Sequence, residues 1–194
     1  MPVLRRLYEW TMRAAAGPRA EQALAAVAFA ESSFFPVPPD VLLLPMVLAR
    51  PEAACRLAAI STIASVAGGV AGYAIGAFLF ETVGRAVIEW YDYTDSFMRF
   101  QALYHEFGLW IVLIGGLTPF PYKVVTIASG VAGYALLPFI LGSLATRGLR
   151  FATEAALLRW FGPPLRAFIE RWLGWLFTAF LVLLLGGFLA VRLL

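Results

Sequence analysis

Five ionisable side chains stand within apolar stretches of this sequence, and they are its candidates for binding and transport chemistry. They are Glu31, Asp40, Lys123, Arg147 and Arg150. A carboxylate can give and take a proton, whereas a lysine or an arginine can hold an anion. Ionisable groups at membrane depth face the protein interior or water, and they mark the paths of substrates and ions. The five residues therefore predict a transport site.

The two arginines belong to one stripe of a predicted helix. Ser143, Arg147, Arg150 and Glu154 are spaced by four, three and four residues, which places them along one helical face. Two arginines on one stripe are not expected to face lipid, and Arg150 is placed to pair with Glu154. The alternative is that both arginines extend along the helix to the cytoplasmic interface, where their charged ends reach water. The sequence leaves both interpretations open.

The two carboxylates flank a stretch that an ordinary membrane helix does not contain. Between Glu31 and Asp40 lie Pro36, Pro38 and Pro39. Proline lacks an N–H and clashes with the preceding turn, so no continuous helix is expected to pass through. Broken backbone at membrane depth must be buried in protein or line a wet cavity, because lipid offers no hydrogen bonds. The break is therefore predicted to mark a working site.

The same arrangement recurs 83 residues further along the chain. The matched positions are Pro36 with Pro119, Pro38 with Pro121, and Asp40 with Lys123. The charge has the opposite sign in the second copy. Paired, broken hydrophobic segments in two halves of a chain indicate a transporter-like binding site near the bilayer midplane. The alternative is a proline kink in an ordinary spanning helix, which membranes tolerate.

Hydropathy divides the chain into segments of a single membrane domain. In order they are an interfacial helix at 1–19, a re-entrant hairpin at 22–49, a spanning helix at 57–80, a polar interfacial segment at 81–106, a second re-entrant hairpin at 107–137, and spanning helices at 138–161 and 172–191. Each hairpin arm is about half a bilayer long, because a full span needs about 20 residues. The predicted fold is an all-α polytopic membrane protein with two inverted re-entrant hairpins, about three spanning helices and interfacial helices.

Two further features of the sequence refine this architecture. Glycines at 68, 69, 72 and 76 predict close packing of the 57–80 helix on the first hairpin. If both hairpins re-enter, nine arginines lie on the N-terminal side and two in the loop between the hairpins. Loops rich in arginine stay in the cytoplasm, so the N-terminus is predicted to be cytoplasmic and the C-terminus external.

The composition excludes several classes of protein. Hydrophobic residues make up 61% of the chain and charged residues 14%, against about 45–50% and about 25% in soluble domains. The net charge of +3 includes no basic run interleaved with exposed aromatics, so nucleic-acid binding is not expected. One cysteine, Cys55, and one histidine, His105, leave no disulfide, cysteine-based metal site or His-containing catalytic set. We therefore expect neither an enzyme nor a cofactor.

Several stretches together carry a family resemblance. They are Phe29–Ser33, Pro38–Asp40, the glycine-rich Gly68–Gly76, and Gly116–Lys123. In these stretches the chain resembles the DedA family, also called VTT-domain or SNARE-associated proteins, nearest its YqaA-like branch. The resemblance implies two inverted re-entrant hairpins that meet inside the bacterial inner membrane. It also implies translocation of undecaprenyl phosphate or phospholipid headgroups, with proton coupling.

The family's functional residues carry over only in part. Its acidic pair corresponds to Glu31 and Asp40, and its basic residue after the second proline corresponds to Lys123. The arginine that usually precedes that proline is missing here. Arg147 or Arg150 is then a candidate for supplying the lost charge.

These residues suggest a mechanism as a hypothesis. Pro38, Pro39 and Pro121 suit the first turn of a new helix, so each hairpin would direct N–H groups inward, where they favour anions. Lys123 adds a full charge and is expected to meet Asp40, which would offset the cost of burying both. Protonation of Glu31 or Asp40 would then free Lys123 for a lipid phosphate. The alternative is a permanent ion pair that only holds the two hairpin tips together.

Three classes of function follow from this reading. The leading one is a flippase or scramblase for an anionic lipid, with protons as a second ligand. The next is a small-solute or ion transporter built on the same hairpins. The third is a membrane assembly factor that transports nothing. The glycine-rich faces permit a homodimer without requiring one.

Overall fold

The computed structural model describes residues 17, 19–35, 37–91, 93–118, 120–162 and 164. These residues are helical and contain no strand, which confirms the predicted all-α class. The helices are α1 (Ala20–Ser33), α2 (Asp40–Ala49), α3 (Ala54–Leu79), α4 (Arg85–Trp90), α5 (Thr94–Leu117), α6 (Tyr122–Val131) and α7, which spans 136–162. The predicted span at 172–191, most of the predicted helix at 1–19, and Pro36 and Pro119 lie outside the described residues.

The chain reverses direction between α1 and α2. Leu24, near the start of α1, lies in the same buried cluster as Leu48, near the end of α2. Glu21 at the start of α1 forms an ion pair of 3.6 Å with Arg50, the C-cap residue of α2. Because these two helix ends meet, α1 and α2 form a hairpin whose tip lies between Ser33 and the start of α2.

A second reversal joins α5 to α6. The Tyr104 hydroxyl of α5 donates a hydrogen bond to the carbonyl of Val125 in α6 at 3.2 Å. Further from the tip, the Gln101 amide donates to the carbonyl of Ala132 at 3.3 Å. The earlier residue of α5, Gln101, thus contacts the later of the two partners, Ala132 just after α6. The two helices are therefore antiparallel.

Two helical segments among the described residues are long and apolar enough to cross a membrane, namely Pro51–Trp90 and α5. The first contains 40 residues, because α3 continues through a π-helical turn at Phe80–Gly84 into α4. At 1.5 Å per residue it is about 60 Å long, about twice the thickness of a hydrocarbon core of about 30 Å. That both hairpins enter and leave the membrane on one face stays a prediction.

The structure divides residues 81–137 differently from the sequence analysis. The predicted polar segment at 81–106 is not a separate element: its first part continues α3, and its second part begins α5. The first arm of the second hairpin is consequently a helix of 24 residues rather than a half-bilayer arm. Helices continue through both predicted boundaries of this segment, and the break lies inside it, between Trp90 and Thr94. Charged side chains lower the hydropathy of a stretch whether or not its helix ends there, which is why hydropathy placed the boundaries elsewhere.

Both hairpins pack against the glycine face of α3. A methyl group at Gly68 would overlap the carbonyl oxygen of Phe29 in α1, and one at Gly76 would overlap that of Ile127 in α6. The Ser33 hydroxyl reinforces the first contact by donating to the carbonyl of Gly68 at 2.8 Å. The contact with the first hairpin confirms the prediction, and the contact with the second adds to it. α3 is therefore the central helix of the described fold.

We expect Gly68→Ala and Gly76→Ala each to destabilise the protein by about 1–3 kcal/mol, the usual cost of overpacking. The overlap is with backbone atoms, which cannot move aside as a side chain can. Gly148→Ala in α7 is the matched control, since its methyl group would lie 3.6 Å from the nearest atom, Thr62 Cγ2. Thermal unfolding of the detergent-purified variants measures the difference. Equal melting temperatures for all three would contradict the close packing of these helices.

Candidate functional site

α7 carries an arginine into the middle of the fold. The Arg147 side chain is 1% exposed, and its Nη2 donates to Glu31 Oε2 of α1 at 2.8 Å. Its Nε donates to the hydroxyl of Ser65 in α3 at 2.7 Å. One side chain thus joins three helices. The alternative that Arg147 extends along its helix to an interface is wrong, because its charged end is bonded inside the protein.

Two aromatic rings enclose the same guanidinium group. The Cζ atom of Arg147 lies 4.8 Å from the ring centres of both Tyr122 and Phe151. Tyr122 is the first residue of α6, and its hydroxyl donates to the hydroxyl of Ser143 in α7. Cation–π contacts strengthen when the cation is removed from water, to about 2 kcal/mol or more. Through Tyr122 the second hairpin also contacts the guanidinium group of Arg147.

Hydroxyl groups complete the hydrogen bonding around the buried ion pair. The Ser32 hydroxyl donates to Glu31 Oε2 at 3.2 Å and lies 2.7 Å from the hydroxyl of Ser65. The Thr126 hydroxyl of α6 donates to the carbonyl of Ser32 at 3.1 Å. A buried ion pair is tolerated when hydrogen bonds satisfy its remaining polar atoms. We call the residues Glu31, Ser32, Ser65, Tyr122 and Arg147 the central cluster.

A second, less buried ion pair lies at the first hairpin tip. Arg150 Nη2 is 2.6 Å from Asp40 Oδ2, and the two side chains are 33% and 29% exposed. The other oxygen, Asp40 Oδ1, is buried and receives no hydrogen bond in the described part of the chain. The carboxyl group of Glu154 lies beside that of Asp40 and also interacts with Arg150. Arg150 is therefore bonded to Asp40, whereas the sequence analysis had considered Glu154 as its partner.

Lys123 lies where the two hairpin tips meet. Its Nζ donates to the carbonyl of Phe35, in the break of the first hairpin, at 3.4 Å. The expected pair between Asp40 and Lys123 is not formed, because the Asp40 carboxylate binds Arg150 instead. Lys123 makes no ion pair with any carboxylate among the described residues. Within the described ranges it is thus a cation bonded to a main-chain carbonyl and to no carboxylate.

The described prolines of the two breaks stand where new helices begin. Pro39 is the N-cap residue of α2, and Pro121 is that of α6. Pro38 is exposed just before Pro39, and its carbonyl accepts the Val41 amide at 3.4 Å. The prediction that prolines start the second helix of each hairpin is confirmed at these positions. Each break therefore ends in a helix N-terminus that carries or adjoins a charged residue.

Sequence reasoning did not identify Ser65, Tyr122 or Glu154 as site residues. Ser65 stands on the glycine face of α3, and it was interpreted only as a small packing residue. Tyr122 lies between Pro121 and Lys123, so it could have been included with the second break. Glu154 was recognised as part of the α7 stripe, but nothing local to the stripe shows that it reaches Asp40.

Comparisons with known proteins identify the family of this chain. A family model described as the VTT domain matches residues 37–160, which include α2 to α6 and most of α7. The chain belongs to the VTT-domain family, the DedA family. A family of this kind is consistent with a transporter-like role in a membrane, and its members are generally not enzymes.

Two relatives extend the match over most of this VTT-domain chain. It is 36% identical over 179 residues to an uncharacterized protein of Haemophilus influenzae. The aligned region covers 90% of this chain and 92% of that relative. An uncharacterized protein of Histophilus somni is also 36% identical over 179 residues, covering 90% of this chain and 93% of that protein. No solved structure matches the chain.

Proposed function

We propose that this VTT-domain protein is a flippase or scramblase that moves an anionic lipid across the bacterial inner membrane. Undecaprenyl phosphate and phospholipids are the substrates that we favour, with protons coupled to the movement and the N-terminus in the cytoplasm. The observation that carries this proposal is the position of Lys123. It is a cation at the junction of two broken helices, and its ammonium group is bonded to a carbonyl rather than to a carboxylate.

The surroundings of Lys123 favour an anion as its ligand. α6 begins at Tyr122, so the unpaired N–H groups and the positive dipole end of this helix lie beside the lysine. A phosphate oxygen is a stronger hydrogen-bond acceptor for an ammonium group than a neutral carbonyl is. A lipid phosphate can therefore replace the Phe35 carbonyl as the partner of Lys123.

The rim of this junction favours a lipid over a free anion. Phe34 and Phe35 of the first break are 66% and 45% exposed, and Phe120 of the second is 53% exposed. Exposed aromatic side chains around a cation suit a ligand that has a charged head and an apolar tail. A soluble anion would gain nothing from them. The tail of a bound lipid would stay in the bilayer while its phosphate contacts Lys123.

The charge balance of the site supports the proposed role of protons. The Glu31–Arg147 pair is neutral and enclosed, so it supplies rigidity rather than a binding charge. Asp40 and Arg150 are half-exposed and can exchange with water or with a ligand. Protonation of Asp40 would remove one of the two carboxylates beside Arg150 and make the first hairpin tip more positive, which would link proton uptake to phosphate binding.

Lys123→Met is expected to lower the transfer of labelled undecaprenyl phosphate in proteoliposomes by about tenfold or more, corresponding to at least about 1.4 kcal/mol. Methionine keeps the length of the side chain but removes its charge. Lys123→Arg is the control, and it should retain most of the transfer because it keeps the cation.

Scoring the same vesicles for ion movement separates the competing functions. Ion flux without lipid transfer in the unmodified protein would favour a small-solute or ion transporter. If Lys123→Met transferred lipid as fast as the unmodified protein, the site assignment would be wrong.

A further inference from the structure

An apolar groove of about 480 Å³ lies between the first half of α3 and the second half of α7. Its volume is within the range of about 300–1,000 Å³ that is usual for small-molecule sites. On α7 its floor includes Gly148 and Ala152, whereas Arg147, Arg150 and Glu154 do not line it. The groove is therefore separate from the central cluster and from the junction at Lys123.

The two ends of the groove differ in polarity. Arg159 and Trp160 line one end, and Ile63 and Leu144 line the other. The distance along α7 from residue 144 to residue 159 is about 22 Å at 1.5 Å per residue, which is most of the thickness of a hydrocarbon core. Ile63 is 66% exposed and Leu144 is 46% exposed, so the groove opens sideways. It has a cation and a tryptophan, the residue types common at membrane–water interfaces, at one end and an apolar slot beyond them.

The charge at the rim is available for a ligand. Arg159 is exposed and makes no ion pair with a carboxylate in the described ranges. Arg56, next in sequence to the groove residue Cys55, is instead paired with Glu21 at 2.7 Å. An exposed arginine without a carboxylate partner in the described part of the chain, placed at the end of an apolar slot, complements a molecule with one anionic end and one long apolar tail.

We propose that this groove binds a membrane phospholipid with an anionic headgroup. One acyl chain lies in the slot against Gly148 and Ala152, and the phosphate contacts Arg159. The small residues leave room for the chain, and the open side lets the lipid enter from the bilayer. This site goes beyond the proposed transport function, because a lipid can bind here without being moved.

The only cysteine in the sequence reports on this groove. Cys55 is exposed and lines it, so a bound acyl chain would shield its thiol from a maleimide. The experiment compares labelling rates of the full chain in phosphatidylcholine nanodiscs with and without phosphatidylglycerol. We expect severalfold slower labelling with phosphatidylglycerol. Arg159→Gln should remove most of this difference, and Arg56→Gln, the matched control, should keep it.

Two further variants make the result decisive. Anionic lipid also lowers the thiolate fraction near the surface, and Arg159→Gln measures that background. Ala152→Phe fills the slot, so it should slow labelling in both lipids and remove the lipid dependence. Lys123→Met should leave the protection unchanged, which separates this site from the transport site. Equal rates in both lipids, protection that survives in Arg159→Gln, or a thiol unreactive in both lipids would each overturn the proposal.

Discussion

Arg147→Met is expected to leave little folded protein in the membrane. Removing one partner of a buried ion pair costs about 3–5 kcal/mol, because the other charge stays buried and unpaired. The Glu31 carboxylate would be that charge, and Ser65 would lose the donor to its hydroxyl. Since whole domains are stable by only about 5–15 kcal/mol, this is a large part of the total. Size-exclusion profiles and thermal unfolding in detergent measure the loss.

Two control variants show whether the loss of stability comes from the broken ion pair or from any change of arginine to methionine. Arg99→Met makes the same change at an exposed position of α5, and it should leave the melting temperature nearly unchanged. Adding Glu31→Gln to Arg147→Met removes both charges and should restore much of the lost stability. If Arg147→Met melted like Arg99→Met, the enclosed ion pair would not hold the three helices together.

Asp40→Asn is expected to fold and to lose the dependence of lipid transfer on a proton gradient. Asparagine keeps the shape of the side chain and can still accept a hydrogen bond from Arg150, but it cannot take up a proton. Under an imposed gradient we expect transfer to fall by about tenfold or more relative to the unmodified protein, equivalent to at least about 1.4 kcal/mol in the barrier. Rates in proteoliposomes with and without the gradient measure this dependence.

The control for this change is Glu52→Gln, which removes an exposed carboxylate from the turn between α2 and α3. It should leave both the rate and its dependence on the gradient unchanged. A proton dependence that persists in Asp40→Asn would move the coupling to another carboxyl, with Glu154 the next to test. Loss of folded protein in Asp40→Asn would instead indicate that the Asp40–Arg150 pair is structural.

Local features of the sequence were sufficient to locate the helix breaks. The prolines at positions 38, 39 and 121 act on the turn that immediately precedes them, so their effect does not depend on the rest of the fold. The hydrophobic runs and the glycine spacing on α3 likewise predicted a helix that another helix can approach closely. The structure has α3 as its central helix, with α1 packed on Gly68.

The sequence was less informative about where a helix continues. Residues 81–106 are polar and aromatic, and hydropathy assigned them to an interface. In the structure they are shared between α4 and α5 and the turns around them. Helices run through both ends of the segment, because charged side chains on an exposed face do not interrupt backbone hydrogen bonding. Hydropathy indicates whether the environment of a segment is polar or apolar, and it does not indicate where a helix ends.

The sequence by itself determined the all-helical class and the two breaks, and it supplied five charged residues as candidates for the site. Only the tertiary structure decided their partners. Arg147 pairs with Glu31 across 116 residues, and Arg150 pairs with Asp40 across 110, so Lys123 does not pair with Asp40. A helical stripe shows that two charges share a face, but which helix packs on that face depends on long-range contacts. The physical reason is that an ion pair depends on distance in space, and separation along the chain does not determine that distance.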